Sequence, residues 1–240
     1  MLSVPTLASA QVGGPGFLFH RPRLSVGIRG GYQVPRAGGD LFDQTLDEFI
    51  PSGADTLSSL SFNAPYLGGE ISFRPWERWD IAFGVGWTRS RTVSEYRRWV
   101  DNLDNPIEQE TTYQLITGTL GAKYYFQDRG RSVGRLAWVP NRMAPYVGAG
   151  IGVASYEFRQ VGDFIDTSTL EIFNDRQETK GDGFLGYGAA GLDFIVARNA
   201  IVTAEARYTL SNARVDGSYR YFGDMDLAGL QLLVGLGFQF

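Results

Sequence analysis

The final stretch of the chain, residues 230–240, constrains the fold more than any other. It reads LQLLVGLGFQF, and apolar side chains occupy every second position, from Leu230 through Leu232, Val234, Leu236 and Phe238 to Phe240. Glycine or glutamine fills the alternate positions, apart from Leu233. A period of two residues indicates a β-strand. A strand of this length with one apolar face and an aromatic end meets the requirements of a membrane-spanning barrel strand.

Seven earlier segments show the same alternation. They lie at about residues 23–33, 67–74, 81–88, 116–126, 146–154, 184–194 and 202–210. Long connections at about 34–59, 90–112, 159–182 and 211–226 alternate with short ones, and only the connection at 127–143 breaks this scheme. Residues 40–50 of the first long loop predict a short amphipathic helix. The pattern predicts an all-β fold: an eight-stranded antiparallel up-and-down transmembrane β-barrel with long extracellular loops and both termini on the periplasmic side.

The charges decide which face of each strand points inward. They fall on the face that is rich in glycine and threonine, at Arg29, Glu70, Arg74, Lys123, Asp193, Glu205 and Arg207. A soluble lipocalin-like barrel would instead need a polar exterior and an apolar interior. We therefore predict an apolar, lipid-facing exterior and a charged interior. Since eight-stranded barrels have room inside only for side chains, paired charges would plug the lumen.

The interior charges leave two interpretations open, a structural ion-pair network and a narrow gated path for ions. In either case we expect Arg207 to pair with Glu205. We expect Lys123 to pair with Glu70 or Asp193, because Glu70, Lys123, Asp193 and Glu205 fall at similar heights.

Aromatic residues collect near both predicted ends of the strands, as the two interfaces of a bilayer favour. The periplasmic set comprises Phe73, Trp76, Trp79, Phe126, Tyr146, Phe194 and Phe240, and the outer set comprises Tyr32, Trp87, Tyr156 and Tyr208. Two such girdles favour the membrane barrel.

These features together resemble the small OmpA/OmpX-type outer-membrane β-barrel family over residues 23–240. The resemblance implies a bacterial outer-membrane location, contact with membrane lipid and lipopolysaccharide, and insertion by the barrel-assembly machinery. It also implies a C-terminal sorting signal at Leu236, Phe238 and Phe240. Residues 1–22 are interpreted as a signal-peptide remnant with a periplasmic segment, because Ala8, Ser9 and Ala10 resemble a cleavage site.

The composition argues against several other classes of protein. The chain has no cysteine, which removes thiol chemistry and cysteine-based zinc sites. Its only histidine, His20, precedes the first strand, so no histidine-based catalytic site, metal site or cofactor site is predicted. A net charge of −4 gives no basis for nucleic-acid binding. A mean hydropathy of −0.15 is compatible with a barrel in which only alternate residues meet lipid.

The four predicted outer loops carry a combined charge of −10, whereas residues 127–143 carry +3. The acidic loops could contact lipopolysaccharide through divalent cations, present a ligand-binding surface, or form a solvated rim. We expect a monomeric, non-enzymatic protein with a structural or surface-interaction role. A narrow pore ranks second, a lipid-modifying enzyme third and a soluble carrier last.

Overall fold

The computed structural model describes residues 17–51, 59–135, 137–166 and 168–240 of the 240-residue chain. Residues 1–16, most of the predicted N-terminal segment, lie outside the described residues. The main strands are β1 (Leu24–Pro35), β2 (Ala64–Phe73), β3 (Trp79–Val100), β4 (Pro106–Tyr125), β5 (Met143–Ile165), β6 (Ile172–Ile195), β7 (Ala200–Ala213) and β8 (Gly229–Gln239). Shorter elements are helix α1 (Asp40–Glu48), 3-10 turns Ser59–Phe62 and Gly217–Tyr219, and strands Phe49–Pro51, Gly130–Val133, Ala137–Pro140 and Met225–Asp226.

The eight main strands close into a ring. Each pairs antiparallel with the next along the chain. β1 and β8 then close the barrel, in register from Ser25 opposite Gln239 to Pro35 opposite Gly229. Closure pairs the backbone groups that an open sheet would leave at its edges. The predicted fold class is confirmed. Among the described residues, no helix is long and apolar enough to cross a bilayer.

The outer wall of the barrel is apolar over the height of a membrane. Ile28 is 67% exposed, Leu120 53% and Val234 62%, although water would disfavour such exposure. On β3 the apolar series ends at Trp87 and is followed by Arg89, which marks the outer limit of this belt. The wall therefore suits lipid, and up-and-down barrels with such a wall are proteins of the bacterial outer membrane.

The aromatic girdles are present with two corrections. Most of the predicted residues point outward from the wall. Tyr146 and Tyr156 do not, because both side chains are buried inside the barrel. Tyr146 donates a hydrogen bond to Glu205, and Tyr156 donates one to the backbone oxygen of Arg214.

Two of the predicted outer loops are in fact strands. β3 and β4 remain paired as far as Val100 opposite Pro106, and β5 and β6 as far as Ile165 opposite Ile172. The predictions of loops at 90–112 and 159–182 were therefore wrong. The strands of each pair rise as a hairpin beyond the apolar belt, and their connections begin only after Val100 and Ile165. The sheet continues because the alternation continues. Charged residues such as Arg89 and Arg91 now face outward, and uncharged residues face inward, both aromatic ones such as Phe158 and polar ones such as Ser94 and Gln160.

The connection at 127–143 folds against the periplasmic end of the barrel. Its strands Gly130–Val133 and Ala137–Pro140 form a hairpin that carries the buried side chain of Trp138. Leu18 and Trp138 exchange two backbone hydrogen bonds of 2.8 Å each. The hairpin and the segment before β1 thus hold each other in place across this end.

Helix α1 closes the opposite end. Leu41, Phe42 and Thr45 form its buried face, while Asp40 and Asp43 occupy its first turn, where a carboxylate is favourable to the helix dipole. The predicted helix is present and lies over the outer mouth, where Phe42 contacts the rings of Phe62, Tyr113 and Phe158.

Candidate functional site

The lumen contains a layer of five charged side chains from four strands. Arg29 on β1 lies 2.7 Å from Glu70 on β2 and 2.8 Å from Glu205 on β7. Arg207 lies 2.8 Å from Glu205 and 3.8 Å from Glu70. Lys123 on β4 pairs with Glu70. All five side chains are nearly excluded from solvent. We call this group the central charge layer.

Aromatic rings complete the central charge layer. The Tyr146 hydroxyl donates to Glu205 at 2.5 Å, and the Lys123 ammonium lies 4.9 Å from the centre of the same ring. The Arg207 guanidinium lies 4.5 Å from the centre of the Tyr187 ring. Ring faces attract cations, so these contacts stabilise the positive members of the layer.

Glycine makes room for Tyr146. A Cβ atom added at Gly191 would lie 2.5 Å from the ring and 2.9 Å from the backbone oxygen of Ala204, both closer than real Cβ contacts. The glycine-rich inner wall thus allows a large ring to lie flat across a narrow barrel.

A second set of charges lies nearer the periplasmic end. Arg129, from the connection 127–143, approaches Asp80 at 2.7 Å and Asp193 at 3.7 Å, and its guanidinium lies 4.2 Å from the centre of the Tyr125 ring. Arg74 lies 3.5 Å from Asp80. Asp193 also accepts hydrogen bonds from Tyr125 at 2.8 Å and from Thr203 at 2.7 Å. We call this group the periplasmic charge layer.

The seven predicted interior charges therefore divide between two layers. Arg29, Glu70, Lys123, Glu205 and Arg207 meet in the central one, including the expected pairs of Arg207 with Glu205 and of Lys123 with Glu70. Arg74 and Asp193 lie in the periplasmic layer. Asp193 is thus lower than its predicted level with Glu70 and Glu205, and its cationic contact is Arg129 rather than Lys123.

Two members of the periplasmic charge layer, Asp80 and Arg129, are not among the predicted interior charges. Asp80 shares the inward parity of Ala82 and Gly84, so strict use of the alternation would have found it. Arg129 lies in a connection without periodicity, where no local pattern indicates that its side chain enters the barrel.

A small cavity of about 40 Å³ separates the two layers. Its lining includes Arg29, Glu70, Lys123 and Asp193, together with the hydroxyl groups of Ser25 and Thr203. Such a space has room for a few water molecules, and its polar lining would hold them by hydrogen bonds.

An aromatic cluster lies between the central charge layer and the outside. Phe42 and Phe158 are buried with ring centres 5.6 Å apart, and Phe158 lies 5.8 Å from Tyr219. Tyr113, Tyr156, Leu115 and Leu185 extend the cluster across the interior. Side chains therefore fill the described lumen at three levels: the aromatic cluster, the central charge layer and the periplasmic charge layer.

Enzymes and metalloproteins commonly use one of two features, a histidine in an accessible site or a cluster of metal-ligating side chains. His20 precedes β1 on the periplasmic side, far along the barrel axis from the outer loops. Within the described ranges, no group of three or more histidine or acidic side chains is arranged to hold a metal ion.

The three residues of the predicted sorting signal point outward at the periplasmic end. Leu236, Phe238 and Phe240 are all exposed on the lipid-facing side of the last strand. The Phe240 backbone is also held, because its amide donates to the backbone oxygen of Leu24 at 2.8 Å.

No protein-family model and no curated protein matches the chain. Among solved structures, the chain is similar to the outer membrane protein OprG from Pseudomonas aeruginosa, with 15% identity and a TM-score of 0.49 over 93% of this chain and 99% of OprG. It is similar to Neisserial surface protein A with 13% identity and a TM-score of 0.49, over 95% of this chain and 99% of that one. The outer membrane protease OmpT from Escherichia coli matches with 13% identity and a TM-score of 0.31, over 94% of this chain and 95% of OmpT. The resemblance predicted from the sequence agrees with these matches, and at such identities it concerns architecture alone.

Proposed function

We propose that this protein is a non-enzymatic outer-membrane barrel whose lumen is closed and whose role is carried out at the cell surface. The observation that carries the proposal is the filling of the lumen by two layers of paired charges and an aromatic cluster. An ion could pass along the lumen only by breaking these ion pairs. Each buried charge already has a partner of opposite sign, and a buried charge without its partner is costly. The parts that remain accessible from outside are helix α1 and the two long hairpins.

The absence of catalysis is part of the proposal. The single histidine is on the periplasmic side, and the interior carboxylates of the described barrel are engaged with arginine or lysine. A general base must reach its substrate, and these groups are enclosed. Barrel shape by itself does not decide the question, since one architecture can host many functions.

Lipid, lipopolysaccharide and the barrel-assembly machinery are the proposed partners. Arg89, Arg91, Arg159 and Lys180 lie on the exterior just beyond the apolar belt, the height at which phosphate groups of an outer leaflet would lie. Arg91 and Arg159 also contact Glu110 and Glu157, so the exterior is a mixed-charge band. Replacement of Arg89 by Gln should reduce the lipopolysaccharide that co-purifies with the protein. Unchanged retention would count against this contact.

Conductance measurement in planar bilayers tests the closed lumen directly. We expect the inserted wild-type protein to give no stepwise current. Currents that change in Glu70→Gln, a substitution inside the lumen, would support the narrow pore instead. Glu157→Gln is the matched control, because it removes the same charge from the exterior of the protruding hairpins. A heat-dependent shift in gel mobility checks that every variant has formed its barrel.

A further inference from the structure

A second cavity lies among the outer loops, on the outer side of the aromatic cluster. It measures about 400 Å³, within the size range of small-molecule sites, and lies between helix α1 and the inner faces of the two hairpins. Its floor includes Gln160, which accepts a hydrogen bond from Tyr219. Because Tyr219 also contacts the aromatic cluster through Phe158, the floor is fixed to the body of the barrel.

Aromatic side chains form much of the lining. Six of the sixteen lining residues are aromatic, compared with 14% in the whole chain, namely Phe49, Tyr96, Trp99, Phe164, Tyr219 and Phe222. Phe49 and Tyr96 pack with ring centres 4.5 Å apart, so one wall is a rigid aromatic pair. Aromatic rings bind apolar groups and attract cations to their faces.

The same cavity is bordered by the acidic end of helix α1. Asp47 and Glu48 lie in its last turn, which contains no basic residue. Carboxylates at a helix C-terminus add to the negative end of the helix dipole and destabilise the helix unless a cation is nearby. Such a departure from helix-forming rules is common at functional sites.

Two arginines offset this negative charge only in part. Arg98, which itself lines the cavity, lies 3.4 Å from Asp47, and Arg97 donates to the backbone oxygen of Leu46 at 3.4 Å. Glu48 instead accepts a hydrogen bond from the uncharged Gln44. Burial chiefly, and the charge of Glu48 to a smaller extent, raise the pKa of Tyr96. Both Glu48 and Tyr96 line the cavity.

We propose that this cavity binds an alkylammonium group, with Glu48 as its counter-ion and Tyr96 and Trp99 as its aromatic contacts. The cavity combines the two features that such a group requires, aromatic rings and a carboxylate, and its volume accommodates the group. The acidic outer loops add a long-range field that concentrates cations at this end of the molecule. The inference deepens the proposed surface role and depends on it only for access from outside the cell.

Choline and its uncharged isostere 3,3-dimethylbutan-1-ol provide a matched pair of probes, and both are soluble enough to avoid detergent micelles. Binding is measured by titration calorimetry or saturation-transfer NMR on the refolded full chain in a non-ionic detergent. We expect choline to bind about tenfold more tightly than the isostere. Equal affinity for the two probes, or no binding of choline, would overturn the proposal.

Two substitutions assign the site. Glu48→Gln and Trp99→Leu should each weaken choline binding about tenfold. Glu171→Gln should leave it unchanged, since it removes an outer carboxylate that does not line the cavity. Heat-dependent gel mobility confirms folding of each variant. Unaltered choline affinity in Glu48→Gln would overturn the assigned counter-ion and, with it, the proposal.

A second arm of the experiment distinguishes the source of the alkylammonium group. Displacement of choline by the water-soluble headgroup glycerophosphocholine in the wild-type protein would indicate a lipid headgroup, whereas choline binding that glycerophosphocholine does not displace would indicate a free cation. Either result supports the site. Since these readouts are independent of bilayer conductance, failure of the cavity proposal and failure of the closed lumen give different results.

Discussion

The membrane half of the barrel and the half that protrudes from it share the same strands but differ in their outward faces, which are apolar in the membrane half and charged in the protruding half. Within the membrane belt, Ile28 and Leu120 face outward while Arg29 and Glu205 are buried. Beyond Arg89 the exterior carries charges, and the interior holds Phe158 and other apolar side chains. The register is continuous across the boundary: β3 and β4 keep it as far as Glu95 opposite Glu108 and shift only towards the tip, and β5 and β6 keep it throughout. Whether the outward face of a barrel strand is apolar or charged therefore decides whether that part of the strand lies in lipid or in water.

The two halves also differ in how their interiors are stabilised. In the membrane half, charge pairs and hydrogen bonds fill the space between small residues. In the protruding half, packed aromatic rings do so, as in a soluble protein. The same kind of substitution should therefore change stability by different amounts in the membrane half and in the protruding half.

The largest expected effect comes from the central charge layer. Glu205→Gln would remove one of the two carboxylates, Glu205 and Glu70, that both Arg29 and Arg207 contact, and breaking a buried ion pair costs about 3–5 kcal/mol. The same change at Glu157, in the exterior pairs of the protruding half, should cost less than about 1 kcal/mol. Urea unfolding in detergent, followed by gel mobility, compares the two variants. Equal losses would mean that the lumen is well hydrated.

Phe42→Ala tests the protruding half. The ring is 1% exposed, and removal of a buried phenylalanine costs about 3–5 kcal/mol. Because the barrel below has its own hydrogen bonds and ion pairs, we expect the outer loops to become sensitive to added protease in proteoliposomes while the heat-dependent gel shift persists. Leu60→Ala, at an exposed position nearby, should change neither readout. Loss of the gel shift in Phe42→Ala would show that the two halves fold as one unit.

A lysine placed on the exterior locates the boundary between the halves. At Leu120, within the apolar belt, it should cost about 2–4 kcal/mol, as charges do near the middle of a bilayer. At Val93, which is 46% exposed on the protruding part of β3, it should change the free energy of unfolding by less than about 0.5 kcal/mol. Unfolding in lipid vesicles measures both. A similar cost at the two positions would place Val93 in lipid as well.

Sequence alone was sufficient for the membrane half and insufficient for the protruding half, for one physical reason. Alternation with an apolar outer face predicts a membrane strand, whereas the same alternation with charged residues outward, as at Arg91 and Arg159, resembles a polar loop. The assignment of Tyr146 and Tyr156 to the girdles was wrong for a related reason, because an aromatic ring near a strand end can face either lipid or the barrel interior. The parity of Tyr146 with Gly148 already indicated the interior. Arg129 could not have been found, because its position depends on the tertiary folding of an irregular connection.

The smallest expected effect concerns the tip of the first hairpin, the part of the protruding half farthest from the membrane. Asp101 accepts hydrogen bonds from the Asn105 side chain and from the backbone amides of Asn105 and Leu103, and these lower the pKa of its carboxyl group. A lowered pKa means that the ionised form holds the turn. Its contribution is complete above the ordinary aspartate range and is lost as the pH falls through the lowered value. We expect the protection factors of the Leu103 and Asn105 amides, measured against the intrinsic exchange rate at each pH, to fall on acidification below about pH 4, and Asp101→Ala to lack this protection at any pH. The barrel amides should keep their protection factors, because the tip lies beyond the membrane belt; a parallel loss of protection in β4 near Leu120 would mean that the hairpin stabilises the membrane half.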